Sequence, residues 1–260
     1  QRYDSSYHYY DAEGRLLISR DDDDYRWQYA YDEKNNLIWE MEEHPTQPFG
    51  LYEKAQRTTY VYDSKNNMIT RISQAADDKA VLVNNEKRCV SYDVNNRKVE
   101  EVDYVFDIEN GYFVKSYKST YSYDKMNKLI NELEVAYTED STRLESDRYK
   151  TFTYDTKNNQ TIVLVQWRDT LTKKYETSYR QRFTYGKSGN KILTETLEFW
   201  SDSLNSFVPR ELNIFKYDDK QNILGKTRQI WNKKTKVFET ENIFTKKYEY
   251  TYENGNMTSE

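Results

Sequence analysis

A Tyr-Asp pair returns along almost the whole chain, and its period limits what the chain can fold into. It stands at Tyr10-Asp11, Tyr31-Asp32, Tyr62-Asp63, Tyr92-Asp93, Tyr123-Asp124, Tyr154-Asp155 and Tyr217-Asp218, with Tyr185-Gly186 and Tyr252-Glu253 as degenerate copies. Successive tyrosines are 21, 31, 30, 31, 31, 31, 32 and 35 residues apart. A period in this range marks a repeat architecture. Residues that recur in every unit are expected to do a structural job in every unit.

Within a unit the pattern reads aromatic-x-Tyr-Asp-x-x-(Asn/Gly). Tyr29, Tyr60, Val90, Tyr121, Phe152, Phe183, Phe215 and Tyr250 precede the tyrosine by two, and small or β-branched residues such as Val61, Ser122, Thr153 and Thr184 lie between. That alternation predicts a strand with an aromatic face. Four residues after the tyrosine stand Gly14, Asn35, Asn66, Asn96, Asn127, Asn158 and Gly189, with Gln221 as the exception. Gly and Asn tolerate positive φ, and Asp opens turns by accepting backbone N–H bonds. The pair therefore predicts a tight hairpin. A second aromatic about fourteen residues on, at Phe106, Tyr137, Trp167, Phe199 and Trp231, precedes the opposite turn. Each unit of about 31 residues becomes two strands and two turns.

The expectation is an all-β antiparallel meander of about 18 strands, one elongated repeat domain over residues 1–260. It curls into an open barrel-like or superhelical shell with the aromatics inward, because an uncovered aromatic face is a large sticky patch. The alternative is a single-layer flat sheet whose long Lys, Arg and Glu stems cover the rings.

Composition removes several function classes. Aromatic content of 16% with 3 Pro and 7 Gly argues against disorder despite 32% charged residues. Net charge is −5 and the cations are scattered, so no cationic track for nucleic acid is expected. No apolar run reaches 18 residues, so no membrane-spanning helix is expected. Cys89 is the single cysteine and fixes no compartment.

The units Tyr10-Asp11-Ala12-Glu13-Gly14-Arg15-Leu16 and Tyr31-Asp32-Glu33-Lys34-Asn35-Asn36-Leu37 resemble the YD repeat of Rhs-type and teneurin-type proteins. The longer unit, with Trp231-Asn232-Lys233, Phe238 and a strand ending in Tyr252-Glu253-Asn254-Gly255-Asn256, is similar to repeats in secreted proteins of unknown function from gut Bacteroidetes. The resemblance implies an extracytoplasmic β-rich protein: periplasmic, cell-surface or secreted. It carries no catalytic residue across.

Candidate chemistry is sparse. The recurring Asp residues read as turn formers, and Asp21-Asp22-Asp23-Asp24 as a solvated turn without the spaced pattern of a calcium loop. Glu42, Glu43 and His44 are adjacent and lack a second ligand cluster, so no metal is expected. No phosphate loop or hydrolase motif occurs, and no cofactor is expected. The surface candidates for a ligand are the turn aromatics Trp167, Phe199 and Trp231, and His44 and Phe49 in the loop that holds Pro45 and Pro48. Stacked Tyr and Trp rings suit sugars. The expectation is a non-catalytic scaffold or binding module for a glycan or a protein. One alternative is a carbohydrate-active enzyme with a glycosidase-like carboxylate pair about 5–10 Å apart. Another is a fragment of a larger shell or adhesin.

Overall fold

The computed structural model describes residues 6–21, 23–46, 51–138, 144–186, 189, 191–220, 222–240, 246–247, 251–253 and 256–259. Every paired strand among them is antiparallel, and no helix occurs among them. The chain divides into two compact units, residues 1–121 with 134–145, and residues 122–133 with 146–260. The first holds β1 (Tyr7–Tyr10), β2 (Leu16–Arg20), β3 (Arg26–Tyr31), β4 (Leu37–Pro45), β5 (Tyr52–Tyr62), β6 (Met68–Ala76), β7 (Leu82–Tyr92), β8 (Lys98–Asp107) and most of β9 (Tyr112–Tyr123). After β10 (Leu129–Tyr137), the second holds most of β11 (Leu144–Tyr154), then β12 (Gln160–Arg168), β13 (Tyr175–Tyr185), β14 (Ile192–Ser201), β15 (Ser206–Tyr217), β16 (Ile223–Asn232) and β17 (Val237–Thr240). In each unit a strand pairs with its neighbours in sequence, which makes a meander.

The Tyr-Asp turn is built as the sequence predicts. Asn35, Asn66, Asn96, Asn127 and Asn158 have φ of 66–70°, and Gly14 and Gly189 have φ of 80° and 85°. In the Asp63 turn, Asp63 Oδ1 accepts from the N–H of Lys65 at 2.8 Å and of Asn67 at 2.9 Å, and Asn67 Nδ2 donates to Asp63 Oδ2 at 2.9 Å. The Asp32 and Asp155 turns repeat this set. These bonds favour the ionised form, so the carboxyls of Asp32, Asp63 and Asp155 are held below the usual range, the asparagine side-chain bond being the main cause. Asp21 makes the same turn at the opposite edge, with Asp24 at φ 70°.

The repeat tyrosine does more than pack. Its hydroxyl donates to a backbone carbonyl 24–25 residues earlier: Tyr62 to Leu37, Tyr92 to Met68, Tyr154 to Leu129, Tyr185 to Gln160 and Tyr217 to Ile192, at 2.8–3.2 Å. For Leu37 the reason is visible in the register. Its strand pairs with β5 only from Trp39↔Thr59 onward. The carbonyl lies beyond the ladder, and the phenol replaces the missing N–H.

Two β-bulges occur in a typical unit. Ala55, Asn85, Ser178 and Arg210 are the extra residues seven places before a repeat tyrosine, and Ile38, Ile69, Val99 and Thr161 those seven places after one. Bulges bend a strand and increase its twist.

The faces are as expected but their burial is not. Val61 is 50% exposed, and Ser122, Thr153 and Thr184 are exposed. Their aromatic neighbours Tyr60, Tyr62, Phe152, Tyr154, Phe183 and Tyr185 are half-buried rather than buried. Among the described residues the buried apolar side chains are Val90, Val102, Val135, Val163 and Val165. Substantial strand contacts within a unit run between sheet neighbours. Several repeat rings are covered instead by cationic side chains in or next to the turns: Arg15 lies over Tyr31, Lys98 over Tyr121, Lys128 over Tyr154 and Lys191 over Tyr217, at 4.6–5.5 Å.

Candidate functional site

The turn aromatics do not form one site. Val165 pairs with Tyr179 and Tyr179 with Phe199, so Trp167, two residues from Val165, shares their face. Leu197, two residues before Phe199, pairs with Glu211, which in turn pairs with Ile230. Trp231 is one residue further and points to the other face. Trp167 is 40% exposed with the Arg148 guanidinium over it. Phe199 packs on Tyr179 at 5.7 Å under Arg210. Phe49 lies outside the described residues.

Trp231 belongs to a different arrangement. It meets Phe238 edge-on at 5.0 Å across the hairpin, as Trp200 meets Phe207 and Phe106 meets Phe113, both at 5.1 Å. Each pair is directly opposite in register and seven residues apart, closing a four-residue loop. Trp200, not Phe199, therefore occupies the clasp position. The turn after Tyr185 has one extra residue, since Tyr185 pairs with Ile192 where Tyr154 pairs with Gln160, and counting from the tyrosine slips by one. The F/W-x6-F spacing was present in the sequence as the signal.

His44 is half-exposed, with Nε2 3.0 Å from Glu42 Oε1 and its ring edge-on to Tyr25 at 4.8 Å. Glu43 does not join them. It is buried, and accepts from Arg26 Nε at 2.7 Å and Gln28 Nε2 at 2.6 Å. Among the described residues no group of three or more His, Cys, Asp and Glu side chains is placed to hold a metal ion.

Carboxylates do come together on the aromatic face of the second unit. Asn213 Nδ2 donates to Glu195 Oε2 at 3.4 Å and to Glu211 Oε1 at 3.0 Å. Gln181 holds Glu195 Oε1, and Arg228 Nη2 donates to Glu211 Oε2 at 2.6 Å. Burial raises the pKa of the Glu211 carboxyl, but the Arg228 and Asn213 bonds outweigh it and leave that pKa below the ordinary value. It is thus an ion near neutrality, whereas a glycosidase acid must hold its proton there.

In the first unit the same face carries a depression of about 220 Å³ between β6 and β9, lined by Arg71, Ser73, Glu86, Arg88, Asp103 and Tyr117 among others. Arg88 grips Asp103 with two bonds of 2.6 and 3.0 Å. Beside it Tyr60 donates to Glu40 Oε1 at 2.6 Å. Burial and this carboxylate push the Tyr60 phenol up to about 12. Reasoning from the sequence names Tyr60 as a strand aromatic and singles out none of the others.

No protein-family model matches the chain, and no curated protein matches it. Among solved structures it is similar to the crystal structure of TcdB2-TccC3-Cdc42, at 14% identity and a TM-score of 0.38 over 86% of this chain. The match spans 13% of that chain's length. A DUF3836 family protein from Parabacteroides distasonis ATCC 8503 matches at 20% identity and a TM-score of 0.30, over 38% of this chain and 88% of that one. A porin-like protein from Bacteroides uniformis ATCC 8492 matches at 10% identity and a TM-score of 0.35, over 88% of each. Among the described residues no helix is long and apolar enough to cross a membrane, a statement that does not extend to strands.

Proposed function

We propose that the chain is a non-catalytic YD-type repeat module that acts outside the cytoplasm, a scaffold or binding surface for a glycan or a protein partner. The observation that carries this reading is the use of the recurring polar groups. The turn Asp residues bond backbone N–H groups, the turn Asn residues hold left-handed conformations, and the tyrosine hydroxyls cap carbonyls. Catalysis needs a poised acid or base near working pH. Here Asp32, Asp63, Asp93, Asp155 and Glu211 move away from that range, toward stronger acidity. A face of half-buried rings interleaved with fixed polar side chains supports recognition of sugars or peptides.

Glycan arrays and pull-downs with the intact chain test the reading. Retention of a ligand on the aromatic face, without turnover, is expected. Hydrolysis of a glycan, peptide or ester that disappears on Glu195→Gln or Glu211→Gln in a folded variant overturns it.

A further inference from the structure

The residue facing the position two before a repeat tyrosine is acidic in three units, while Val163 faces Phe152 and Lys226 faces Phe215. Glu40 faces Tyr29, Glu101 faces Val90 and Glu195 faces Phe183. In the unit of Tyr62 the position is Arg71, facing Tyr60. Arg71 also stands directly opposite Arg88 on the next strand, and like charges so placed repel. Arg88 is neutralised by Asp103 and lies 3.5 Å from Glu101. Among the described residues Arg71 has no carboxylate partner within ion-pair distance; its polar contact is the Tyr60 hydroxyl, whose own proton goes to Glu40. Arg71 is therefore a guanidinium without a carboxylate partner, set beside a second guanidinium at the edge of a depression.

We propose that this depression binds the carboxylate of an acidic sugar, one uronate-like unit of a glycan. The proposal rests on the binding-module reading and names its ligand class. A guanidinium matches a planar carboxylate with two parallel bonds. Glu86, exposed at the rim, and Asp103 accept hydrogen bonds from ring hydroxyls, and Ser73 adds a hydroxyl of its own. The same two carboxylates disfavour a dianion such as phosphate. The volume of about 220 Å³ lies below the roughly 300–1,000 Å³ of sites for drug-sized molecules, which fits a single ring.

The test titrates the full chain with a galacturonic acid trisaccharide, its neutral galactose counterpart and inorganic phosphate, by calorimetry at low salt. Arg71→Glu is the decisive variant, because the fold already accepts Glu at 40, 101 and 195. The uronate is expected to bind, to lose at least about tenfold in affinity in Arg71→Glu, and to recover part of it in Arg71→Lys, with melting temperatures alike. Phosphate binding as tight as the uronate overturns the proposal, as does uronate binding indifferent to Arg71→Glu. Neutral glycans held on an array while the uronate fails also overturn it, yet leave the module reading standing. Failure of every glycan on the array together with empty pull-downs removes both.

Discussion

The repeat tyrosine illustrates how a single atom is used. Tyr154→Phe keeps the ring and removes only the bond to Leu129 O, 2.9 Å long. Urea unfolding is expected to show a loss of about 0.5–1.5 kcal/mol, the net value of one such bond. Tyr60 makes a sharper case because its phenol sits high. A group whose folded pKa exceeds its unfolded one stabilises the fold fully below the unfolded value, about 10 for tyrosine. That stability drains as pH rises through the folded value of about 12. Circular dichroism with absorbance at 295 nm is expected to show alkaline unfolding in this window, and Tyr60→Phe to shift it upward. The turn aspartates have the opposite sign. Their lowered pKa values stabilise above the unfolded carboxyl range and the benefit is lost as pH falls through the folded values.

Elements of this chain are set by turns, and that is why so much of the fold could be read in advance. Positive φ favours Gly and Asn, which hold that position in the Tyr-Asp hairpins, so these turns announce themselves in the sequence. Asn66→Gly is expected to stay near wild-type stability, while Asn66→Ala loses about 1–2 kcal/mol from the left-handed backbone, by comparison of thermal melts. The opposite turns are less uniform: Ala80, Gly111, Lys173, Asn205 and Lys236 take the left-handed position there. Their signal is the aromatic clasp, and one inserted residue after Gly186 was enough to point to Phe199 instead of Trp200. A double-mutant cycle on Trp200→Ala and Phe207→Ala is expected to give a coupling of about 0.5–1.5 kcal/mol. The site was harder to see. Arg71 stands out only when strands are aligned in register, because its oddity is the second arginine it faces across the ladder, not its own chemistry. Burial was misjudged for another reason: pattern reports which face a ring occupies, and says nothing of whether a second layer covers it.

Molecules built from strands that touch only their neighbours store stability locally. Val165, 1% exposed in the second unit, is the clearest apolar anchor. Val165→Ala is expected to cost about 2 kcal/mol. Hydrogen exchange should then quicken through β11, β12 and β13 and stay unchanged in β5, β6 and β7. A uniform rise in both units would mean that stability is shared over the whole chain.

The link from each tyrosine hydroxyl back to a carbonyl also acts as a ruler. It measures 25 residues in four instances and 24 in one, while the residues between that carbonyl and the preceding tyrosine are free to number five or six. Gene duplications that copy a whole period conserve the ruler wherever the break falls. Copies out of phase strand a phenol without its acceptor. Growth and loss in such a lineage are thereby quantised, and tandem copies of near-constant length are what such a constraint leaves behind.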